Sequence, residues 1–172
     1  DWSAATNFLV AGAIFGRAEL EGLDTTSLQA DLSIMDMLMY AGARLSQLDE
    51  PKGRVVVQRA PLSAFRTSAV NCPDLFPILA VLAAFCQGES HIKGVSRLAH
   101  KESDRASAIL AMLTQMGVKA HADKDADEMI IEGKSLPCRL LSGDMIHGGN
   151  YSSHHDHRMA MALMVASLGA DC

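Results

Sequence analysis

The chain has 172 residues, of which 49% are apolar and 20% are charged, and its formal net charge at pH 7 is −5. This length is enough for a domain of ordinary size with a buried core. Because proteins that bind nucleic acid present a basic face to its phosphates, the acidic balance argues against nucleic acid as the main partner.

An apolar helix that ends at Gly16 opens the chain, and a strand that runs to Gly22 follows it. An amphipathic helix comes next and ends at Gly42, where a glycine C-cap is expected. The apolar positions of this helix are Leu28, Leu32, Met35 and Met39. Two strand candidates, 43–48 and 54–58, complete this first unit.

The same order of elements recurs in the second part of the chain. An apolar helix ends at Gly88, and a strand runs from there to Gly94. A second amphipathic helix ends at Gly117, and its apolar positions are Ala106, Ile109, Leu113 and Met116. Strand candidates at 119–122 and 129–132 follow it.

Each unit therefore has the order strand, buried helix, strand, amphipathic helix, strand, strand. The first unit lacks its opening strand, and a third stops after the helix 159–168, which is apolar on every side and so predicted to be buried. We predict an α/β fold with wholly interior helices. The chain forms one partial domain, 1–172, divided into units 1–60, 61–138 and 139–172.

The four cysteines contain no Cys-x-x-Cys pair, so we interpret them as scattered, reduced thiols of a cytoplasmic protein. They are Cys72, Cys86, Cys138 and Cys172. Every apolar run is shorter than a membrane span or is interrupted by glycine, and we expect no membrane partner. The chain starts without an initiator methionine and ends soon after an apolar helix, so we expect it to be a fragment of a longer protein.

The run His100–Arg105 contains five ionisable residues and precedes the second amphipathic helix. In a helix start, Lys101 and Arg105 lie on one face at positions i and i+4, where like charges repel. Cations are also unfavourable at the positive end of the helix dipole. An anion held between them would relieve both effects. The alternative is a solvated first turn in which Glu102 pairs with Arg105.

The run Ser152–Arg158 precedes the apolar helix 159–168, so Arg158 should enter the interior at the start of that helix. A buried guanidinium needs an anionic partner. Asp156 is one candidate, and a bound carboxylate or phosphate is the other.

A third helix start combines Asn71–Asp74 with the apolar segment 75–85. Asp74 stands where an N-cap belongs, and by itself it is explained by capping. Asp74, Arg158 and the group of Lys101, Glu102 and Arg105 lie at three helix starts, and they form a constellation that packing alone does not require.

These runs resemble the 5-enolpyruvylshikimate-3-phosphate synthase family. The resemblance lies in Asn71–Asp74, Arg97–Arg105 and His155–Ala162, which occur in the family's order, and in Asp1–Leu9. It implies three copies of the repeated unit, with parallel helices inside and sheets outside. It also implies transfer of the enolpyruvyl group of phosphoenolpyruvate to the 5-hydroxyl of shikimate 3-phosphate, with release of phosphate and without a cofactor.

By this resemblance, Asp74 is the base near the 5-hydroxyl and Glu102 is a general acid or base at the enolpyruvyl carbon. Lys101 lies by the hydroxyl and the leaving oxygens. Arg105 and Arg158 hold phosphoenolpyruvate, a role that suits the planar fork of arginine.

His154, His155 and His157 with Asp156 invite a metal site, but no second cluster completes a tetrahedral set, so we predict no metal. By resemblance, His157 orients the substrate or the neighbouring arginine. Arg97 stands where the family has an asparagine that contacts the shikimate ring, so we assign that role to no residue here.

Two other functions stay open from the sequence: a UDP-N-acetylglucosamine enolpyruvyltransferase, and a non-catalytic anion-binding or assembly module on the same fold. The resemblance places the family's active site between two globular halves, and the other half is absent from this sequence. We therefore expect the chain to form about one wall of the site and to be inactive alone, with the missing half of the same polypeptide as its partner.

Overall fold

The structure is a computed structural model that describes residues 1–48, 53–99 and 104–171. Helices and strands are interspersed along these ranges, which confirms the predicted α/β fold. The elements are α1 (Trp2–Phe15), β1 (Arg17–Leu20), α2 (Ile34–Tyr40), β2 (Arg44–Leu48), β3 (Arg54–Gln58), β4 (Arg66–Ser68), α3 (Phe76–Ala84), β5 (Gly88–Lys93), α4 (Arg105–Gln115), β6 (Lys119–Asp123), β7 (Glu128–Gly133), α5 (Leu136–Ser142) and α6 (His157–Ser167). Short 3-10 turns span Ala30–Ser33, Pro73–Leu75 and Val95–Leu98.

Both predicted strand pairs form, because β2 pairs with β3 and β6 pairs with β7, each antiparallel. The order β4-α3-β5-α4-β6-β7 also reproduces the predicted order of elements in the second unit. The boundary expected between residues 138 and 139 falls inside α5. The exact division into units stays a prediction.

Two sheets cover the helices. A three-stranded antiparallel sheet with the order β1-β3-β2 packs on α1, and a four-stranded sheet with the order β4-β5-β7-β6 packs on α3. In the second sheet β4 and β5 are parallel, and the other pairs are antiparallel. Val55 and Val57 on β3 are buried, as are Met129 and Ile131 on β7. This period of two gives each sheet an apolar face toward the helices.

Helices α1, α3 and α6 lie side by side and point in the same direction. At their C-terminal ends, the rings of Phe15 and Phe85 meet edge to face with centroids 5.2 Å apart. A Cβ atom on Gly169 would lie 2.7 Å from Phe85 and 2.8 Å from Phe15, so the end of α6 meets the same two rings. At the N-terminal ends, Arg158 of α6 donates to the carbonyl oxygen of Ser3 in α1. The expected arrangement of parallel helices inside and sheets outside is confirmed.

Helix α3 is buried along its whole length, as its apolar sequence predicts. Pro77 lies in the first turn, where a missing backbone N–H costs no intrahelical hydrogen bond.

The first amphipathic helix begins later than predicted. Leu28 is fully exposed, and α2 starts at Ile34 after the 3-10 turn Ala30–Ser33. Because a 3-10 turn has three residues per turn instead of 3.6, it shifts which side chains face inward. The buried residues of α2 are Ile34, Met37 and Leu38 instead of the predicted set. The C-cap of this helix is Ala41, and the predicted Gly42 follows it with a φ of 91°, so glycine does mark the end of the helix.

Helix α6 is not buried on every side, so that prediction is wrong. Met159 and Ala162 are buried, but Met164 is 71% exposed and Leu168 is 63% exposed. Together with Phe8 of α1, these side chains form an open apolar groove between α1 and α6. Hydropathy reports the preference of a side chain for burial, but burial also needs a neighbouring element, and none of the described elements covers this groove.

Cys72, Cys86 and Cys138 are free thiols, and Cys172 lies outside the described residues. Burial raises the pKa of the Cys86 thiol to about 12, so this thiol stays protonated at neutral pH.

The longest helix, α1, has 14 residues. Spanning a bilayer takes about 20 predominantly apolar residues. Among the helices within the three described ranges, none combines the required length and apolar character.

Candidate functional site

Three charged residues meet where the N-terminal ends of α3, α4 and α6 converge: Asp74, Arg105 and Asp156. Arg105 is the first residue of α4, whose N-cap is Asp104. Asp156 is the N-cap of α6 and accepts the backbone N–H of Arg158 at 2.9 Å. Asp residues are favoured N-caps because the carboxylate satisfies free N–H groups of the first turn. Helix capping thus places two of these residues.

Arg105 is almost wholly buried and lies between two carboxylates. Its Nε donates to Asp156 Oδ2 at 2.6 Å, and its Nη2 donates to Asp156 Oδ1 at 3.2 Å. Its Nη1 donates to Asp74 Oδ1 at 2.7 Å. The Arg105 side chain is 2% exposed, so the alternative of a solvated first turn does not hold for this residue. The reason is that the starts of α3, α4 and α6 converge, and the guanidinium lies between the carboxylates at two of them.

Opposite charges keep this group ionised. Burial by itself would lower the pKa of Arg105 and raise that of Asp156. For Arg105, the hydrogen bonds and opposite charges of Asp156 and Asp74 outweigh the effect of burial on the pKa. For Asp156, the hydrogen bonds and charge of Arg105 and the backbone N–H groups that it accepts outweigh the effect of burial on the pKa. The pKa of Arg105 therefore lies above its usual value, and the pKa of Asp156 lies below its usual 3.8. At neutral pH, Arg105 is a fixed positive charge.

Asp74 does not cap α3, contrary to the local interpretation of the sequence. It lies within the 3-10 turn Pro73–Leu75, and the N-cap of α3 is Leu75, without a side-chain cap bond. The Asp74 side chain is 39% exposed, whereas the Asp156 side chain is 0% exposed. Asp74 is thus the member of the group that faces solvent.

Arg158, the second residue of α6, has a different environment from Arg105. Its Nη1 donates to the Ser3 carbonyl at 3.4 Å, and its buried Nε has no hydrogen-bond partner among the described residues. It forms no ion pair with any side chain in the described ranges, since the Asp156 carboxylate pairs with Arg105 instead. Buried N–H groups in proteins are nearly always satisfied. An anion at this position would satisfy both the N–H and the charge.

Two of the predicted site residues, Lys101 and Glu102, lie outside the described residues. His157 is the first residue of α6 and is exposed. Arg97 lies in the 3-10 turn Val95–Leu98 and is also exposed. The structure thus brings Asp74, Arg105 and Arg158 to neighbouring helix starts, and His157 precedes Arg158.

His154 and His155 both have positive φ angles, 52° and 58°, and are exposed in the turn before α6. Within the described parts of the chain, no group of three or more His, Cys, Asp or Glu side chains is arranged to hold a metal ion.

Asp156 is the residue whose contact the sequence did not reveal. Its position before an apolar helix is a recognisable N-cap signal. Its partner Arg105, however, lies 51 residues away in sequence, and local patterns carry no information about contacts at that range. The local interpretation made Asp156 the candidate ion-pair partner of the nearby Arg158. In the structure, the Asp156 carboxylate accepts only the backbone N–H of Arg158 and does not pair with its guanidinium.

The arrangement combines one arginine that is paired with carboxylates, one arginine that has no ion pair within the described ranges, and one accessible carboxylate. Arg105 is neutralised by internal partners, while Arg158 has a guanidinium available to an external anion. Asp74 can accept a proton from a group bound in front of it. This combination suits binding of a carboxylate or phosphate next to a general base.

Comparison with known proteins identifies a family whose members are named as carboxyvinyltransferases. The family model for EPSP synthase (3-phosphoshikimate 1-carboxyvinyltransferase) matches residues 1–172. The 3-phosphoshikimate 1-carboxyvinyltransferase of Aeropyrum pernix is 41% identical over 172 residues, which cover 99% of this chain and 36% of that protein. The enzyme of that name from Brachyspira hyodysenteriae is 36% identical over 171 residues, which cover 99% of this chain and 38% of that protein.

Solved structures show the same likeness. The EPSP synthase from Acinetobacter baumannii aligns with a TM-score of 0.79 and 28% identity, covering 98% of this chain and 39% of that chain. The enolpyruvyl transferase NikO from Streptomyces tendae aligns with a TM-score of 0.63 and 18% identity, covering 99% of this chain and 37% of that chain, and this shows similarity of fold alone. The chain spans less than two fifths of the length of each of these proteins. Since the family model matches it from end to end, the chain belongs to the EPSP synthase family.

Proposed function

We propose that this chain is part of an enzyme of the shikimate pathway that transfers the enolpyruvyl group of phosphoenolpyruvate to the 5-hydroxyl of shikimate 3-phosphate. The observation that carries the proposal is the Arg158 guanidinium, which has no anionic partner in the described ranges and lies next to the Asp156–Arg105 pair. The relatives from Aeropyrum and Brachyspira are named for this transfer, which supports the same reaction here.

The reaction consists of an addition followed by an elimination. The 5-hydroxyl oxygen bonds to C2 of phosphoenolpyruvate while the methylene carbon C3 gains a proton and the hydroxyl loses one. The C2–O bond to phosphate then breaks, and the new methyl group loses a proton to restore the double bond. Both steps need proton transfer and compensation of negative charge, and the proposal requires no cofactor.

Asp74 is the proposed base for the hydroxyl proton. Its carboxylate is 39% exposed at a convergence of helix starts, so a bound hydroxyl can reach it. By family resemblance, Glu102 is the proposed donor of the proton to C3, and Lys101 lies by the hydroxyl and the leaving phosphate oxygens.

Arg158 and Arg105 are the proposed binders of phosphoenolpyruvate. Each guanidinium can donate two parallel hydrogen bonds to a carboxylate or phosphate. Arg158 is available as it stands, whereas Arg105 carries two carboxylates that a ligand must compete with or share. His157 precedes Arg158 in the first turn of α6, and we assign it to orienting the substrate or that arginine.

The complete site requires the rest of the parent protein. Because the chain spans 36–38% of the two relatives, we propose that the groups that bind the 3-phosphate of shikimate 3-phosphate lie on the part that it lacks. The described site is then one wall of a cleft that closes around both substrates.

The test uses the full-length parent enzyme and measures phosphate release from shikimate 3-phosphate and phosphoenolpyruvate. Arg158→Ala should lower kcat/KM for phosphoenolpyruvate by about 10²- to 10⁴-fold, because a bidentate charge-assisted pair contributes about 3–5 kcal/mol at about 1.4 kcal/mol per decade. Arg158→Lys should recover part of the loss, since a point charge cannot reproduce the fork.

The matched control is Arg59→Ala, an exposed arginine that follows β3 and donates its backbone N–H to Gly16 at the opposite ends of the helices. It should leave kcat/KM unchanged within about twofold. Turnover with UDP-N-acetylglucosamine instead of shikimate 3-phosphate, or an unaffected Arg158→Ala variant, would contradict the proposal.

A further inference from the structure

The two carboxylates that hold Arg105 do so in unequal ways. Asp156 accepts two hydrogen bonds, from Nε and Nη2, and its side chain is 0% exposed. From Arg105, Asp74 accepts one hydrogen bond, donated by Nη1, and the Asp74 side chain is 39% exposed. One partner is enclosed and bidentate, and the other is accessible and monodentate.

The enclosed partner is also fixed from a second direction. As the N-cap of α6, Asp156 accepts the backbone N–H of Arg158 with the same Oδ1 atom that accepts Nη2 of Arg105. The carboxylate therefore connects the start of α4 to the start of α6. Since these two helix starts carry the two arginines, Asp156 sets the spacing between Arg105 and the backbone of Arg158.

The accessible partner is held by Arg105 through a single hydrogen bond. Asp74 lies in a three-residue 3-10 turn that has no side-chain cap. Arg105 itself is 2% exposed, so an anion from solvent reaches its guanidinium only where one of the covering groups gives way. Withdrawal of Asp156 would leave a buried, unpaired charge, whereas Asp74 can turn toward water.

On the basis of the proposed function, we propose that Asp156 is a positioning residue that holds Arg105 in place while phosphoenolpyruvate takes the position of Asp74 on Nη1. The Nη1–H bond to Asp74 Oδ1 breaks, an equivalent bond to an oxygen of the ligand forms, and no proton moves. One charge-assisted hydrogen bond thus replaces another of the same kind. The exchange frees the Asp74 carboxylate for the hydroxyl proton only after the anion has bound.

The inference predicts opposite effects for the two aspartates, and the test measures the dissociation constant of phosphoenolpyruvate alone. The full-length enzyme is titrated without shikimate 3-phosphate, so that no turnover occurs. Asp156→Asn keeps the size and a capping oxygen, but it removes the charge and presents N–H toward Arg105. We expect its Kd to rise at least tenfold. Asp74→Asn removes the competing charge, and we expect its Kd to stay equal or to fall.

Asp104→Asn is the matched control, since Asp104 caps α4 beside Arg105 and is exposed. Its Kd should stay within about twofold of the wild type. A melting curve for each variant separates positioning from stability: a lower Tm with an unchanged Kd in Asp156→Asn would overturn the inference. Equal weakening by both aspartate variants would also overturn it, because the carboxylates would then be equivalent supports.

Two further outcomes distinguish failure of the proposed reaction from failure of this inference. A wild-type enzyme that binds phosphoenolpyruvate with the predicted pattern in the variants, but does not release phosphate with shikimate 3-phosphate, would overturn the reaction and leave the role of Asp156 in anion binding intact. A wild-type enzyme that does not bind phosphoenolpyruvate would overturn both.

Discussion

Arg105 and Arg158 begin neighbouring helices with the same side chain, yet their environments differ. Arg105 is buried against two carboxylates, whereas Arg158 has one long hydrogen bond to a carbonyl and an unpaired Nε–H within the described ranges. A buried charge left without its partner is costly, and a guanidinium without an anionic partner contributes little to stability. The two residues should therefore respond differently to the same substitution.

Arg105→Ala should lower the free energy of unfolding by about 3–5 kcal/mol, because it leaves the enclosed Asp156 carboxylate unpaired. Arg158→Ala should cost about 1 kcal/mol or less, since it removes a single hydrogen bond to a neutral acceptor. Urea denaturation of the chain and both variants measures the difference. Equal losses would show that Arg158 is as firmly paired as Arg105.

The pH dependence of stability should report Asp156. Its pKa in the folded state lies below the usual 3.8, so the folded state binds a proton at Asp156 less readily than the unfolded state. Its contribution is therefore fully present above about pH 4 and is lost as the pH falls through the lower, folded pKa. The stability difference between wild type and Asp156→Asn should be largest at neutral pH and shrink below about pH 4.

Urea denaturation at several pH values tests this expectation. Glu132→Gln, on the exposed side of β7, is the control and should change the free energy of unfolding by about 0.5 kcal/mol or less. A difference for Asp156→Asn that stays constant down to pH 2 would show that the ion pair with Arg105 does not carry the effect.

At the scale of the elements, the distance between α3 and its sheet depends on a residue without a side chain. A Cβ on Gly133, at the end of β7, would lie 1.9 Å from the carbonyl oxygen of Ala83 and 2.4 Å from that of Cys86. Both are backbone atoms, one in the last turn of α3 and one just after it, so neither can move without shifting the end of the helix. Gly133 thus lets the sheet approach the helix that carries the site at its other end.

Gly133→Ala should lower the free energy of unfolding by about 1–3 kcal/mol or more, because inserted volume in a close-packed interior forces the backbone apart. Glu132→Ala, the exposed neighbour on the same strand, should change it by about 0.5 kcal/mol or less. Thermal unfolding of the two variants side by side measures the contrast. A Gly133→Ala variant as stable as the control would mean that the α3–β7 contact tolerates a wider spacing.

At the scale of the whole molecule, the candidate site is open. The three helix starts present Asp74 and Arg158 on one side, and the chain spans 36–39% of its named relatives and structural neighbour. Holding two reactants in a closed site contributes about 7–11 kcal/mol to barrier reduction. A single wall cannot enclose both substrates of the proposed reaction.

The isolated chain should therefore release no measurable phosphate from shikimate 3-phosphate and phosphoenolpyruvate, while the full-length parent enzyme does. A phosphate assay on equal concentrations of the two proteins measures this, with circular dichroism to establish that the isolated chain is folded. Turnover by the folded chain alone would show that the described wall is sufficient.

Much of the architecture could be predicted because it depends on local chemistry. Apolar periodicity located α1, α3 and α4, glycines marked the ends of α2 and α4, and alternation identified the strand pairs β2–β3 and β6–β7. The pattern of apolar residues did not reveal the 3-10 turn before α2, and this turn shifts which face of α2 is buried. Nor could that pattern show that α6 would expose Met164, because burial depends on which element lies opposite.

The residue types of the site followed from the sequence, since charged residues at the starts of apolar helices need a partner. Which charges pair was decided by the tertiary structure. Asp156 lies two residues from Arg158 and 51 from Arg105, yet its carboxylate binds the distant arginine. The physical reason is geometric: the fold brings the start of α4 against the starts of α3 and α6, and the Arg105 guanidinium there binds both Asp74 and Asp156.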